Sequence, residues 1–464
     1  MAAVGPGQRG ALYRQPRPAE PERLAAPLAR SGVAGVRRPA AGQADARAFR
    51  ARAGRAHVAP GARTAFVSAR FQAAVAGGGT VGLACALLLN RRCGWDVALV
   101  ERSAPRNTDG EGPQRALTLS PGAVEVLTEC GAGREGVPPS SKAGTPSFPA
   151  HAFSRMVVWR GEGGPASGNS ITFDAAELGV KSLGCVAHEA PLRRALWDLA
   201  QECKGIRVYS GAALASVRIK EDCGYLDLDN GDEIGSELLI GADGAQSKLR
   251  SALGIEFRSI GYGQTGLVFE ADCSEADGDT AWQRFEDDGV LALLPLSESR
   301  MSIVWSLPDE RAERLKLLDD QGLQTALNET GAGVAGDLTP ATPIASFPLR
   351  RGRAEQTCGE RYALVGEAAR TIHPLAGQGL NLGLGDAEAL ARVCAGQGDA
   401  LIGDARVLGR FARERARYGE EMSFGIHAIN AAFCGPMAPL ASRGMAAVDR
   451  FPPLKRQLAA RAMR

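Results

Sequence analysis

FQAAVAGGGTVGLACALLLNRRCGWDVALVER, residues Phe71 to Arg102, decides the fold. It opens with an apolar run that fits a buried strand, and Gly77-x-Gly79-x-x-Gly82 follows at once. An apolar helical stretch comes next, then a second strand at Val97 to Val100 that delivers Glu101. Glycines alone are a weak sign, whereas strand, glycines, helix, strand and acid in this order make a complete dinucleotide fingerprint. Gly77 permits the tight turn, Gly79 lets backbone approach a pyrophosphate, and Gly82 lets helix pack on strand. Glu101 stands where it accepts hydrogen bonds from the hydroxyls of an adenosine ribose.

Two stretches downstream extend this reading. Ala363 to Val365 is a short apolar run that fits another buried strand, and a loop with Pro374, Gly377, Gln378 and Gly379 follows it. Leu380, Leu384, Ala387, Ala391 and Cys394 then recur at steps of three and four, the spacing of one helix face. A helix N-terminus reached through glycines offers unpaired N–H groups and a positive dipole end to an anion, or to a ring that becomes anionic. Taken alone it is also an ordinary glycine-rich connection. The third stretch, Gly241-Ala-Asp-Gly-Ala-Gln-Ser-Lys-Leu-Arg250, follows the apolar Leu238 to Ile240, with Asp243 a candidate helix cap.

In this order and at these separations the three stretches resemble the flavin-dependent aromatic hydroxylases of the para-hydroxybenzoate hydroxylase type. Within that group the chain is most similar to the ubiquinone-biosynthesis ring hydroxylases of the UbiH/UbiF type. That finer likeness rests on Ala281-Trp-Gln-Arg-Phe285, Leu294-Pro-Leu296, Ile303-Val-Trp-Ser306, the run His373 to Gly383 and Phe451-Pro-Pro-Leu-Lys455. The resemblance covers residues 71 to 464 and implies an α/β fold. A Rossmann-like FAD-binding domain (71–150, 183–255 and 351–394) is expected to interleave with a mostly antiparallel β-sheet substrate domain (151–182 and 256–350), followed by C-terminal helices (395–464).

The resemblance also implies roles. Gly77, Gly79, Gly82 and Glu101 would hold FAD, with Arg115 on the flavin nucleotide, Asp243 helping to hold the pyrophosphate and Glu367 on the ribityl hydroxyls. Gly377, Gln378, Gly379, Leu380 and Asn381 would present N–H groups to the pyrimidine side of the isoalloxazine, stabilising negative charge on reduction. Pro374, beside the reactive flavin edge, would limit backbone motion and water; His373 reads as a packing residue. The implied reaction uses NAD(P)H and O2, through a flavin hydroperoxide, to hydroxylate the ring of a polyprenylphenol. Because the cofactor carries this chemistry, no catalytic triad or metal cluster is required. Two departures stand out: Glu367 and Arg370 in Gly366-Glu-Ala-Ala-Arg370 replace an aspartate and a histidine, and His188-Glu189 replaces Glu-Asn. They motivate a rival, a non-catalytic assembly component of a ubiquinone-biosynthesis complex; hydroxylation of a small soluble phenol is a third reading.

The remaining chain bounds these possibilities. Residues 1 to 70 hold thirteen Arg, no Lys and three acids without a sustained apolar period, a composition that cannot offset chain entropy by burial. A targeting peptide is one reading; the other is that translation begins at Val67 and the first 66 residues are not made. Hydrophobic residues make up 45%, and the net charge of +2 becomes negative without that extension, which argues against nucleic-acid binding. Ten Cys without a C-x-x-C and five unpaired His indicate neither zinc site nor disulfide framework, and point to reduced thiols in the cytoplasm. Met156 to Trp159 with Ser170 to Phe173 reads as a hairpin, Val186 to Cys203 as a helix, and Asn230-Gly231 as a hairpin turn. Gly266 to Leu307 reads as a four-strand meander, with Trp282, Phe285 and Trp305 as core. The C-terminal stretch reads as helix packed on the flavin domain, or as peripheral contact with the inner membrane through Arg443, Lys455 and Arg456.

Overall fold

The computed structural model describes residues 70–105, 115–134, 147–372 except 162, 168, 276 and 277, 378–433 except 399, and a few positions between 449 and 463. The N-terminal extension, His373, Pro374, Gly377 and Arg443 lie outside the described residues.

Five strands lie side by side and parallel, in the order Ile206–Ser210, Val97–Glu101, Arg70–Ala76, Glu233–Gly241 and Tyr362–Leu364. They read as continuous apolar runs because both sheet faces are covered. On one face the helices Thr80–Cys93, Glu189–Glu202 and Gln378–Ala395 bury Leu83, Leu87, Leu192, Leu196, Leu384 and Leu390 against Val75, Leu99 and Ile240. Cys85, Cys130 and Cys394 are free, buried thiols within this cluster. The expected helical stripe is present, with Leu384, Ala387, Ala391 and Cys394 buried and Leu380 packed at its margin. The amino-terminal half of Glu233–Gly241 pairs antiparallel with Gly224–Leu228 across the expected turn, where Gly231 takes φ +91°.

A second sheet is mostly antiparallel, in the order Arg370–Thr371, Ala345–Ala354, Phe257–Cys273, Arg300–Pro308, Val290–Ser297, Thr280–Phe285, Arg155–Arg160 and Ser170–Asp174. Helices Asp309–Lys316 and Asp320–Gly331 cover one face, packing Leu315, Leu323 and Leu327 against Phe269, Leu293, Ile303 and Trp305. The expected four-strand meander is corrected here. Only the last three strands form one, and Phe257–Cys273 pairs with Arg300–Pro308 instead of its sequence neighbour Thr280–Phe285. Thr280–Phe285 instead finds a parallel partner in Arg155–Arg160, whose hairpin with Ser170–Asp174 forms as expected.

A small sheet sets Gly184–His188 between Ala116–Leu119 and Ala150–Phe153. The helix expected from Val186 therefore begins at Glu189, because residues 184–188 spend their backbone groups on two neighbours. Helix Ala405–Phe433 follows the parallel-sheet unit, and no helix among the described residues is long and apolar enough to cross a membrane.

Candidate cofactor-binding site

The parallel strands end level with one another. Ala76 is in register with Val100 on one side and Gly241 on the other, and Gly241 with Leu364. The glycine loop, Glu101, Asp243 and Glu367 thus emerge at the carboxyl ends of four adjacent strands, where ligands of such sheets sit.

Within the glycine loop the contacts separate packing from cradle. A Cβ on Gly82 would lie 1.9 Å from the Gly77 carbonyl oxygen, and one on Gly77 would meet Ala242 at 2.4 Å, with φ +108°. Around Gly79 nothing stands within 4 Å of such an atom. Two glycines are consumed by folding, and the third faces open space at the N-terminus of Thr80–Cys93. Gly78, which the fingerprint leaves free, is equally constrained: its Cβ would meet that of Glu101 at 2.7 Å. Glu101 accepts from the amides of Gly78 at 2.5 Å and Ser103 at 2.9 Å. Arg193 stands 3.4 Å from the same carboxylate and donates to the carbonyls of Gly78 and Ser103. Its place, five residues into a helix, carried no motif.

The helix cap expected at Asp243 falls instead at Ser247, whose hydroxyl accepts from the Arg250 amide; Asp243 reaches the same helix start from outside, its Oδ2 accepting from the amides of Lys248 at 2.7 Å and Leu249 at 3.1 Å. Its Oδ1 is buried with no hydrogen-bond partner among the described residues. An ionised carboxylate only accepts, so this atom suits a ligand hydroxyl and not a pyrophosphate oxygen. Glu367 is exposed on the turn Gly366–Ala368. That turn is held from two sides. Arg250 donates to the Ala368 carbonyl at 2.9 Å, its guanidinium stacked over Phe257 and its pKa lowered by burial against the opposing pull of Asp243. Asp386, fully buried, accepts from the Gly366 amide at 3.0 Å, Arg370 at 2.9 Å and Arg415 at 2.6 Å. Arg370 is therefore one arm of a buried ion-pair cluster. The only sign in the sequence was an acid next to Ala387 in an otherwise apolar helical stripe.

The Gln378–Ala395 helix begins beside this turn. Val81, in the first turn of Thr80–Cys93, stands within 3.3 Å of a Cβ built on Gly366 and 2.7 Å of one on Gly383. Gly379, like Gly79, has nothing within 4 Å. Two helix N-termini linked through Val81 thus each offer a glycine open among the described residues and the first-turn amides that a helix leaves outside its own ladder. The Asn381 side chain is taken up otherwise, accepting from the Ser120 amide at 3.1 Å and donating to the Thr118 carbonyl at 3.0 Å. Arg115 lies just before that strand, exposed, with Glu189 at 3.6 Å. FAD fits these residues: open backbone for an anion at Gly79, an acceptor in Glu101, an unpaired buried acceptor in Asp243, and amides at the second helix.

The FAD binding domain family matches residues 70–422. The 3-demethoxyubiquinol 3-hydroxylase of Escherichia coli is 32% identical over 392 residues, covering 83% of this chain and 96% of that protein. The ubiquinone biosynthesis monooxygenase COQ6 of Danio rerio is 30% identical, covering 84% and 89%. Among solved structures, PqsL of P. aeruginosa in complex with 2-aminobenzoylacetate superposes with a TM-score of 0.66 at 20% identity, covering 82% of this chain and 99% of that one. The p-nitrophenol 4-monooxygenase PnpA of Pseudomonas putida gives a TM-score of 0.65 at 16% identity, covering 85% and 97%. The fold is thus shared with flavin aromatic hydroxylases, and the chain belongs to the FAD binding domain family of flavin-dependent monooxygenases.

Proposed function

We propose that this protein is an FAD-dependent monooxygenase that hydroxylates the aromatic ring of a polyprenylphenol in ubiquinone biosynthesis, with NAD(P)H and O2 as co-substrates. The observation that carries this reading is the convergence of Gly79, Glu101, Asp243 and Glu367 at level strand ends, in a chain that spans nearly all of a ubiquinol hydroxylase. Bound FAD would supply hydride acceptance and oxygen activation. The chain's own residues bind, orient and exclude water. Gly77, Gly79 and Gly82 let the backbone reach the pyrophosphate, and Glu101 takes the adenosine ribose hydroxyls in exchange for its present loop amides. The Asp243 Oδ1 accepts from a ribityl hydroxyl, with Glu367 reaching the same chain and Arg115 the nucleotide. The amides of Gln378 to Asn381, with Gly377, would stabilise charge on the pyrimidine side, and Pro374 would sit beside the reactive edge and limit backbone motion and water there.

Two of the departures are accommodated by the fold, Arg370 pairing with Asp386 and His188 with Glu270, so neither argues against the enzyme. Lys455 is committed to Glu177 at 2.8 Å and Asp449 at 3.4 Å, which removes it from a lipid-facing role. Peripheral membrane contact then rests on Arg456 and the stretch before it.

The test is the absorption spectrum of the purified protein, then anaerobic NADPH or NADH with and without a prenylphenol, then product analysis in air. A bound flavin that bleaches faster with the phenol and yields hydroxylated product is expected. Folded protein that stays colourless with added FAD would overturn the enzyme.

A further inference from the structure

The face of the antiparallel sheet turned away from its helices carries a row set by strand register: Met156, Ala281, Leu294, Ser302 and Glu270. The row is apolar for three strands and polar for two. Over its apolar part lie Val186 and Phe153, packed on Ala281 and Leu294. Two residues on from Val186, and so on the same side of the Gly184–His188 strand, His188 meets the polar end. Its Nε2 is 2.8 Å from Glu270 Oε1. The Glu270 side chain is 8% exposed and that of His188 26%. The hydroxyl of Ser302, in register with Glu270, is buried and has no hydrogen-bond partner among the described residues. The other charges facing the pair are Arg300 at 3.4 Å from Glu270, Asp272 on Arg300, and the Arg115–Glu189 pair flanking His188.

A buried carboxylate on one ring nitrogen keeps the proton there and leaves the other nitrogen as a base. No hydrogen bond among the described residues reaches Nδ1. We propose that His188, oriented by Glu270, accepts the phenolic proton of the substrate while Ser302 donates to the phenolic oxygen, with the ring lying over Val304, the half-buried residue two positions along the strand from Ser302. This rests on the monooxygenase reading above. In the step the phenolic O–H bond breaks, the proton passes to Nδ1, and the electron pair stays on oxygen, enriching the ring carbons that oxygen transfer attacks. The imidazolium is paired with Glu270 and releases its proton to solvent at its exposed edge.

The test uses the FAD-loaded protein with two readouts. In the first, 4-nitrophenol is titrated with pH in the presence of wild type, His188→Gln and Glu270→Gln, and the visible band of its anion reports ionisation. The wild type lowers the bound phenol's apparent pKa; both variants abolish the shift. In the second, product formed per NAD(P)H is followed against pH. The wild-type rate changes with pH along one limb, and His188→Gln loses that limb together with roughly 100-fold in hydroxylation, while its flavin content is unchanged. Variants that hold flavin, keep the phenol shift and keep the limb overturn the proposal. A wild type that holds flavin yet neither binds nor hydroxylates any phenol overturns the monooxygenase reading instead.

Discussion

In the parallel sheet the chemistry collects at strand ends, where Ala76, Val100, Gly241 and Leu364 stand level; in the antiparallel sheet it collects on a face, where Ser302 and Glu270 continue a row begun by Leu294. A parallel sheet clad on both faces by helices and strands has only its edges and ends left for a ligand, and its ends carry helix N-termini. A sheet with helices on one face can share the other between a second layer, here Val186 and Phe153, and a ring beside it. The difference teaches where to look: loops after strands in the first case, alternate residues along strands in the second.

This comparison can be broken by substitution. Asp386→Ala leaves Arg370 and Arg415 buried without their shared carboxylate beneath the Glu367 turn, and is expected to destabilise by about 3–5 kcal/mol. Denaturant unfolding reads this directly, and a loss below about 1 kcal/mol would show that the strand-end loops do not depend on the cluster. Gly82→Ala and Gly79→Ala make a paired test of packing against cradle. Gly82→Ala must displace the Gly77 carbonyl and is expected to cost about 3 kcal/mol; Gly79→Ala meets open space, leaves the melting temperature of the flavin-free protein unchanged and weakens FAD roughly tenfold. Equal effects of the two on stability would erase the distinction.

On the antiparallel face, Ser302→Ala removes a buried hydroxyl that has no partner among the described residues, so thermal unfolding should show stability unchanged or slightly raised. A clear loss would mean that the row is structural. The smallest effect lies at the helix pair behind the cradle. Hydrogen bonds from Arg92, at 2.5 and 2.6 Å, hold the Glu129 carboxyl below its usual range against the opposing effect of partial burial. A depressed carboxylate stabilises the fold above its unfolded pKa and ceases to as pH falls through its folded one. Because the group is over a third exposed, wild type and Glu129→Gln should differ by under about 1 kcal/mol at neutral pH and converge as pH falls through the depressed pKa of the folded carboxyl. A gap that persists in acid would assign the effect to shape and not charge.

How far the sequence was legible follows the same division. The strand ends could be read because a tight turn, a close backbone approach and an acid are local demands that leave local marks, as at Gly77, Gly79, Gly82 and Glu101. Asn230-Gly231 was legible for the same reason. The face could not be read. Glu270 looks like any acid alternating with Phe269 and Ala271, and its meaning depends on His188, 82 residues away, through a pairing of strands that are not sequence neighbours. Arg193 and Asp386 were hidden similarly, since an arginine in a helix or an acid near a stripe is ordinarily a surface residue until its partners are placed. Val186 to His188, the end of the Gly184–His188 strand, reads as helix because so short a run carries no reliable period.

The thiols within the helical layer have a consequence of another kind. Desolvation in the core pushes Cys130 and Cys394 up to about 12 and Cys93, half-buried, to about 11, and raises Cys85 further. Oxidants attack the thiolate, and at neutral pH almost none of these groups carries that charge. An oxygen-using flavoprotein that turns over without productive substrate sheds hydrogen peroxide beside its own scaffold. Burial of these four sulfurs in the helical layer therefore holds them as thiols, the form that peroxide attacks slowly.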